Sequence, residues 1–339
     1  MCFIRTIIPQ IVDSIWITLV KKRHFIAKLI LSALTLAFVY SQVDVDIMET
    51  AQTIKPVTWL LAGMAMVCQM ALISWRWQLL INLKHYHINY FDALKISFAS
   101  NLANIFFITS VGGVVVKIGL AAQFGIGFLR SLMATLIDRL FSVLTLLFLT
   151  AISVPVVYRL LPPDISSLMV VVTFACLTAT FLFLFFISHK LKDMDFIRKN
   201  KRFATFLNYI RALLLKPARL NGLVGLSLVA QTSYFVAVYI ILLSLGADVS
   251  FLQVFLVLPA IAFIASLPIS IGGWGIREGA FVYGLSLFGV PMETAFIASI
   301  EVGLLSMVAS LALGLPAFFT QDVLRFFSTD RVRVKHKQP

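Results

Sequence analysis

Two short segments of the chain share the pattern Ser-x-Gly-Gly-x-x-x-(Lys/Arg): Ser110 to Lys117 and Ser270 to Arg277. Paired glycines favour an interruption in a helix, and a helix that begins after it presents free backbone N–H groups and the positive end of its dipole. Such a helix end stabilises an anion such as a phosphate, and a basic residue one turn into each helix adds a full positive charge. We therefore predict an anion-binding site at the two interruptions. Its predicted residues are Gly112, Gly113, Lys117, Ser270, Gly272, Gly273, Arg277 and Glu278.

These segments also have simpler interpretations. The glycine pairs can mark plain turns between helices. Lys117 and Arg277 can extend their charged ends to an interface with water.

Further charged residues lie in or beside apolar sequence: the adjacent pairs Asp138-Arg139 and Arg277-Glu278, and the single residue Glu301. Buried charges are costly unless they pair, take up a proton or face water. Because adjacent residues do not face each other on a helix, we expect each pair to bind partners on other helices. Glu301 has no basic neighbour in sequence and needs Arg277, Lys117 or a proton. Asp138, Arg139 and Glu301 are therefore candidates for charge or proton coupling, with structural ion pairing as the alternative.

Polar residues near the first segment have plainer expected roles. Arg76 lies between Trp75 and Trp77, and tryptophan favours the membrane–water interface, so we expect Arg76 to be an interfacial anchor. Asn101 and Asn104 are about one turn apart, so they either line a cavity or bond to a neighbouring helix.

The sequence lacks the motifs of common enzymes. It contains no HExxH, no P-loop, no GxSxG and no acidic metal cluster. Cys2, Cys68 and Cys176 are far apart, so we expect neither a disulfide framework nor a CxxC metal site. We therefore expect no metal, no cofactor and no catalytic residue. An enzyme that modifies lipids with one carboxylate and bound lipid phosphate remains the alternative.

The elements that carry these residues are predicted to be membrane-spanning helices. Of the 339 residues, 60% are hydrophobic and only 13% are charged, which excludes an ordinary soluble enzyme. Six apolar stretches approach the roughly 20 residues that cross hydrocarbon. They are Ile26 to Tyr40, Pro56 to Ile81, Ser131 to Val157, Ile165 to Ser188, Gly222 to Leu245 and Met292 to Phe319. The predicted fold class is an all-α polytopic membrane protein, with one domain over residues 1–339.

Two further apolar regions, residues 92–128 and 251–290, contain the interruptions. Lysine and arginine concentrate near the N-terminus, in residues 189–221 and in the tail, residues 320–339, so these segments are expected in the cytoplasm. When the spans are counted from these basic segments, the first region is expected to begin and end on the cytoplasmic side of the membrane. The second region is expected to begin and end on the outer side. Each is predicted to be a hairpin, either re-entrant or a pair of short spans. Opposite entry and a shared pattern predict an inverted repeat, with halves at residues 1–165 and 222–319.

The net charge of +13 comes mainly from these same basic segments. Residues 189–221 carry apolar residues at near-helical spacing among basic ones, which predicts an amphipathic segment on the anionic cytoplasmic leaflet. The excess charge therefore indicates orientation and lipid contact, and we expect no nucleic-acid partner. The expected partners are membrane lipids that are anionic or bear a phosphate.

The residues from Pro268 to Gly279 resemble the signature of the flippase-like membrane domain of lysylphosphatidylglycerol synthases, a family with many stand-alone members. Asn101 to Lys117, Asp138-Arg139 and Arg76-Trp77 resemble its other landmarks, so the resemblance covers nearly the whole chain. It implies movement of a lipid or a lipid-linked precursor between the leaflets of the cytoplasmic (inner) membrane of a prokaryote. Both termini are then expected in the cytoplasm.

The chain departs from this family pattern in its first half. Ile108 and Val114 stand where the family usually has proline and aspartate, so substrate coordination is less well supported there. No aminoacyl-transferase domain follows Phe319, so synthesis of a lysyl lipid is not expected. A membrane-embedded enzyme or an accessory subunit that works with proteins of lipid or glycan assembly stays open, as does a transporter of small anions.

Overall fold

The computed structural model describes residues 55–83, 87–106, 110–189, 216–267 and 274–318, together with Ala37, Ile210 and Leu213. The described residues form nine α-helices and no strand, which confirms the all-α fold class for this part of the chain. The helices are α1 (Pro56–Ile81), α2 (Tyr90–Phe106), α3 (Ser110–Gln123), α4 (Phe128–Val157), α5 (Pro163–His189), α6 (Pro217–Ser244), α7 (Phe251–Ser266), α8 (Ile276–Ser286) and α9 (Met292–Phe318).

The long helices follow the predicted spans closely. Among the described residues, four segments are long and apolar enough to cross a membrane: Pro56–Ile81, Phe128–Val157, Pro217–Ser244 and Met292–Ala317. Helix α5 covers the predicted span that begins at Ile165. Helix α6 begins at Pro217 instead of Gly222, because proline is well tolerated in the first turn of a helix. The end of the predicted basic segment 189–221 is therefore helical.

Three other predicted segments lie outside the described residues. They are the first span, residues 26–40 apart from Ala37, most of the basic segment before Lys216, and the tail, residues 320–339.

Each interrupted region folds as two short helices that pack together, α2 with α3 and α7 with α8. These helices have 17, 14, 16 and 11 residues. At 1.5 Å per residue they are about 16 to 26 Å long, which is shorter than the ~30 Å hydrocarbon core of a bilayer.

The first interruption does not lie at the glycines, where the sequence placed it. Helix α3 already begins at Ser110, so Gly112 and Gly113 lie in its first turn and Lys117 lies two turns into it instead of one. A Cβ atom on Gly113 would overlap the side chain of Asn104 and the carbonyl oxygen of Ser100. Close packing between α2 and α3 therefore explains this glycine better than a turn does.

The contacts between helices occur in equivalent pairs, which are related by one consistent exchange of helices. Helix α2 packs against α9, and α7 packs against α4. The contacts α1–α2, α3–α4, α1–α4 and α1–α9 have counterparts in α6–α7, α8–α9, α6–α9 and α6–α4. Exchanging α1 with α6, α2 with α7, α3 with α8 and α4 with α9 thus turns each of these contacts into another contact of the structure.

The exchanged helices α1 and α6 run in opposite directions. Arg76, near the end of α1, bonds to Ser227 of α6. Cys68, earlier in α1, lies 3.9 Å from the hydroxyl of Ser233, which is later in α6. The two helices are therefore antiparallel.

Helices α4 and α9 are opposed in the same way. Helix α4 is antiparallel to α1, since Ile81 and Trp77 near the end of α1 bond to Arg130 and Thr135 near the start of α4. Helix α9 is parallel to α1, since Trp59 bonds to Glu301 and Gly63, one turn later, packs towards Leu305. It follows that α4 and α9 run in opposite directions.

Candidate functional site

Arg76 and Asp138 form a buried ion pair between α1 and α4. The Nε atom of Arg76 donates to Oδ1 of Asp138 at 2.7 Å, and Nη2 donates to the Asp138 carbonyl at 2.9 Å. The remaining donors reach hydroxyl groups, Nη1 to Ser227 at 2.7 Å and Nη2 to Ser142 at 2.6 Å. Four bonds thus hold the guanidinium, and only 1% of Arg76 is exposed.

The expectation that Arg76 is an interfacial anchor is therefore wrong. Its partners lie on α4 and α6, and they compensate the charge inside the bundle. Trp75 keeps an exposed position, but Trp77 is fully buried and donates its indole N–H to Thr135. Asp138 does bind a partner on another helix, as its spacing predicted. Arg139 is the next residue along α4 and lies close to the negative charge of Asp138.

Lys117 lies next to this ion pair but does not share it. Its Nζ atom is 4.6 Å from the centre of the Trp77 ring, and only 8% of the residue is exposed. Asp138, Arg76 and Arg139 are the charged residues nearby. Among the described residues no carboxylate lies within ion-pair distance of Nζ. Lys117 is therefore largely buried, and no carboxylate in this part of the chain pairs with it.

The backbone at Gly113 is already bonded within the first hairpin. Its N–H donates to Oδ1 of Asn104 at 2.9 Å, and its carbonyl accepts from the Ser100 hydroxyl at 2.7 Å. Asn104 thus bonds a neighbouring helix, which was one of its two expected roles. The Gly113 N–H is consequently not a free donor for an anion, so Lys117 is the group of this hairpin best suited to that role.

Arg277 and Glu278 bond to each other in the first turn of α8. The Nη2 and Nε atoms of Arg277 donate to Oε1 of Glu278 at 2.7 and 3.1 Å. Ser299 of α9 bonds to both side chains. The expected partner on another helix is therefore present, Ser299 of α9, and the two side chains also bond to each other because both turn towards α9.

The second carboxylate oxygen of Glu278 closes the start of α8. It accepts the backbone N–H of Gly275, whose φ of +86° is a conformation that favours glycine. Glu278 is completely buried. A carboxylate of the chain itself thus occupies the helix end at which the sequence predicted an external anion.

The Arg277 guanidinium is packed between two residues that the sequence pattern did not identify. It lies over the Trp274 ring, 4.5 Å from its centre. On its other side is Gly303 of α9, where a Cβ atom would overlap the guanidinium. Ser299 and Gly303 are one turn apart on α9, a spacing that indicates a shared helix face but not its partner. The predicted residues Ser270, Gly272 and Gly273 lie outside the described residues.

Glu301 lies on another face of α9 and pairs with neither expected cation. It is only 3% exposed, and its Oε2 atom accepts the Trp59 indole N–H at 2.9 Å. Within the described residues its Oε1 atom is buried without a hydrogen-bond partner. Ser299 and Gly303, which face Arg277, are each two residues from Glu301, or about 200° around the helix. Neither Arg277 nor Lys117 is therefore its partner.

No group of three histidine, cysteine, aspartate or glutamate side chains comes together in the residues that the structure covers. These residues thus offer no ligand set for a metal.

Comparison with known proteins gives one match. The family model described as "Lysylphosphatidylglycerol synthase TM region" matches residues 25–314, most of the chain. No curated protein and no solved structure matches the sequence.

Proposed function

The chain belongs to the family of the lysylphosphatidylglycerol synthase TM region, and on that premise we propose that it moves a lipid or a lipid-linked precursor between the two leaflets of a membrane. The family and the long apolar helices make it a multi-pass membrane protein of lipid-related function. The proposal adds the transport step and a binding site for an anionic headgroup.

The observation that carries the proposal is the buried amine of Lys117, which has no carboxylate within ion-pair distance among the described residues. An unpaired charge inside a membrane protein costs several kcal/mol, so such a residue usually has a partner or faces a water-filled path. The Asp138 carboxylate is already paired with Arg76, whose Nε donates to Oδ1, and it forms no ion pair with Lys117. A phosphate or another anionic headgroup would supply the missing negative charge. The Trp77 ring beneath the ammonium would exclude water from one side of that contact.

The second half supports a different role for Arg277. Glu278 neutralises its guanidinium, and Trp274, Ser299 and Gly303 hold it in place. We therefore assign Arg277 and Glu278 mainly to positioning α8 against α9. Ser270, Gly272 and Gly273, which precede this pair in the sequence, stay proposed residues of the headgroup site.

The arrangement of the helices is suited to a transporter. The reciprocal contacts and the reversed directions of α1 and α6 and of α4 and α9 support an inverted repeat. Helices that end within the membrane leave backbone N–H and C=O groups unpaired, so their ends must be covered by protein or line a water-filled path. We infer that α2–α3 and α7–α8 are hairpins that enter from opposite faces and enclose such a path, as in transporters built from inverted repeats.

The proposed setting is the cytoplasmic membrane of a prokaryote, with both termini in the cytoplasm. The basic segments near the N-terminus, in residues 189–221 and in the tail support this orientation. The proposed partners are anionic or phosphate-bearing lipids, and the chain itself is proposed to catalyse no chemical reaction.

Reconstitution of the purified protein in liposomes tests the proposal. Headgroup-labelled lipids of three kinds are compared: anionic, zwitterionic and polyprenyl phosphate. The protein should accelerate the movement of at least one lipid between leaflets. Lys117→Gln should slow that movement about tenfold, because a contact between charged groups of ~1.5 kcal/mol or more is lost.

Lys95→Gln is the matched control, since Lys95 is an exposed lysine that pairs with Asp92. It should keep the wild-type rate. Rates equal to those of protein-free vesicles for all three lipids would refute the proposed function. Uptake of a soluble anion without lipid movement would point to a transporter of small anions instead.

A further inference from the structure

Glu301 is a buried carboxyl group with an unusual set of neighbours. One oxygen accepts a single hydrogen bond from Trp59, and the other is buried without a partner in the described residues. The residue is nine positions after Met292, about 14 Å along α9. The carboxyl group therefore lies well inside the apolar helix, about a third of the way along it.

No cation of the surrounding helices compensates this group. Helices α1, α2, α6 and α8 pack against α9. The ionisable side chains on or directly before these helices are Lys55, Cys68, Arg76, Tyr90, Asp92, Lys95, Lys216, Arg219, Tyr234, Tyr239, Arg277, Glu278 and Tyr283. Among the described residues none of them forms an ion pair with Glu301, whose one hydrogen bond comes from Trp59.

The strongest of these charges are already engaged elsewhere. Arg277 binds Glu278 on the opposite side of α9, and Arg76 binds Asp138 near the other end of α1. An ionised Glu301 would thus be a bare anion in an apolar setting, and a carboxyl group in that setting takes up a proton instead of staying charged.

We propose that Glu301 is a proton-binding site, with a neutral carboxylic acid in the conformation of this structure and the proton on Oε1. Oε2 already accepts the indole hydrogen of Trp59, so Oε1 is the free position. Proton uptake forms an O–H bond at Oε1 with a proton from hydronium, and release returns that proton to water. No other reactant is required.

This site deepens the proposed function, on which its role in transport rests. Of the three candidates for coupling, Asp138 is paired with Arg76, and Arg139 is close to the negative charge of Asp138. Glu301, in contrast, has a buried carboxylate oxygen without a hydrogen-bond partner in the described residues. A proton on Glu301 leaves the buried charged groups of the second half neutral in sum, because Arg277 and Glu278 cancel. Headgroup movement would then respond to a difference in pH across the membrane.

Infrared spectroscopy of the purified protein at neutral pH tests the proton site without any transport assay. The wild-type protein should show the C=O band of a buried carboxylic acid. Glu301→Gln has nearly the same shape and should abolish that band while unfolding at the wild-type temperature. Trp59→Phe should shift the band, since the C=O group loses its hydrogen-bond donor.

Glu293→Gln is the matched control, because Glu293 is the other glutamate of α9 and lies in its first turn. It should retain the band. A wild-type spectrum without an acid band, or one that Glu301→Gln leaves unchanged, would overturn the proton site.

The coupling role has a separate readout in liposomes. The wild-type rate of headgroup movement should change with an imposed pH difference, and the rate of Glu301→Gln should not. An equal response of both proteins would overturn the coupling role. Absence of lipid movement in the wild-type protein would refute the proposed function, and the infrared result would still decide the proton site.

Discussion

In the described part of the chain, buried charged residues differ in how well their charges are compensated. Arg76 and Asp138 satisfy each other with help from two serines, and Arg277 and Glu278 do so with help from one. Lys117 and Glu301 have no ion-pair partner in the described part of the chain. The compensated pairs are suited to holding helices together. The two uncompensated groups are where an external anion and a proton would be stabilised.

The buried pair between α1 and α4 leads to a prediction about stability. Asp138→Asn should lower the unfolding free energy in detergent by about 3–5 kcal/mol, because Arg76 is left as an uncompensated buried charge. Asp92→Asn removes the partly exposed partner of Lys95 and should cost only about 0–1 kcal/mol.

A double replacement separates charge from packing at the same place. Arg76→Met with Asp138→Leu should recover most of the stability, since no charge remains unpaired. Equal losses for Asp138→Asn and Asp92→Asn in chemical unfolding would show that the pair is not buried as described.

Sequence reasoning identified most of these residues but misjudged some of their partners. Arg76 and Asp138 are 62 positions apart, and hydropathy alone does not show which helices meet. The tryptophans beside Arg76 favoured an interfacial role, and packing against α4 overrode that preference. Glu301 was recognised as unusual from local sequence, because a carboxylate without a basic neighbour is visible there. Its Trp59 partner, 242 positions away, was not.

At the scale of helices, the apolar stretches predicted the element bounds well, because a membrane imposes both length and composition on a spanning helix. The first interruption was placed a few residues late. Paired glycines signal either a break or a close approach of two helices, and the local sequence does not distinguish these cases. At Gly113 the close approach to Ser100 and Asn104 is what requires glycine.

Replacing glycines in two different surroundings tests this interpretation. Gly113→Ala should destabilise the protein by about 1–3 kcal/mol, because the added methyl group overpacks the contact between α2 and α3. Gly225 lies in α6 with open space where a Cβ would stand. Gly225→Ala should therefore be neutral or stabilise by about 0.5–1 kcal/mol.

Thermal unfolding of both variants provides the comparison. A Gly113→Ala protein as stable as Gly225→Ala would mean that the first hairpin is not packed through this glycine.

At the scale of the whole molecule, two halves of similar architecture carry different charge. Near its buried ion pair the first half also has Lys117 and Arg139, whereas the buried charged groups of the second half are a neutral pair and Glu301. In the inverted repeat proposed above, halves that differ in this way would offer an anion one preferred site. The wider excess of +13 lies mainly in segments expected at the cytoplasmic face, and it sets orientation more than binding.

The most direct test of the central claim, that Lys117 holds an anionic lipid headgroup, is native mass spectrometry of lipid retained by the purified protein. The wild-type protein and Lys95→Gln should both retain a phosphate-bearing or otherwise anionic lipid, and Lys117→Gln should lose it. Retention of the same lipid by Lys117→Gln, or absence of any anionic lipid from the wild-type protein, would contradict the claim.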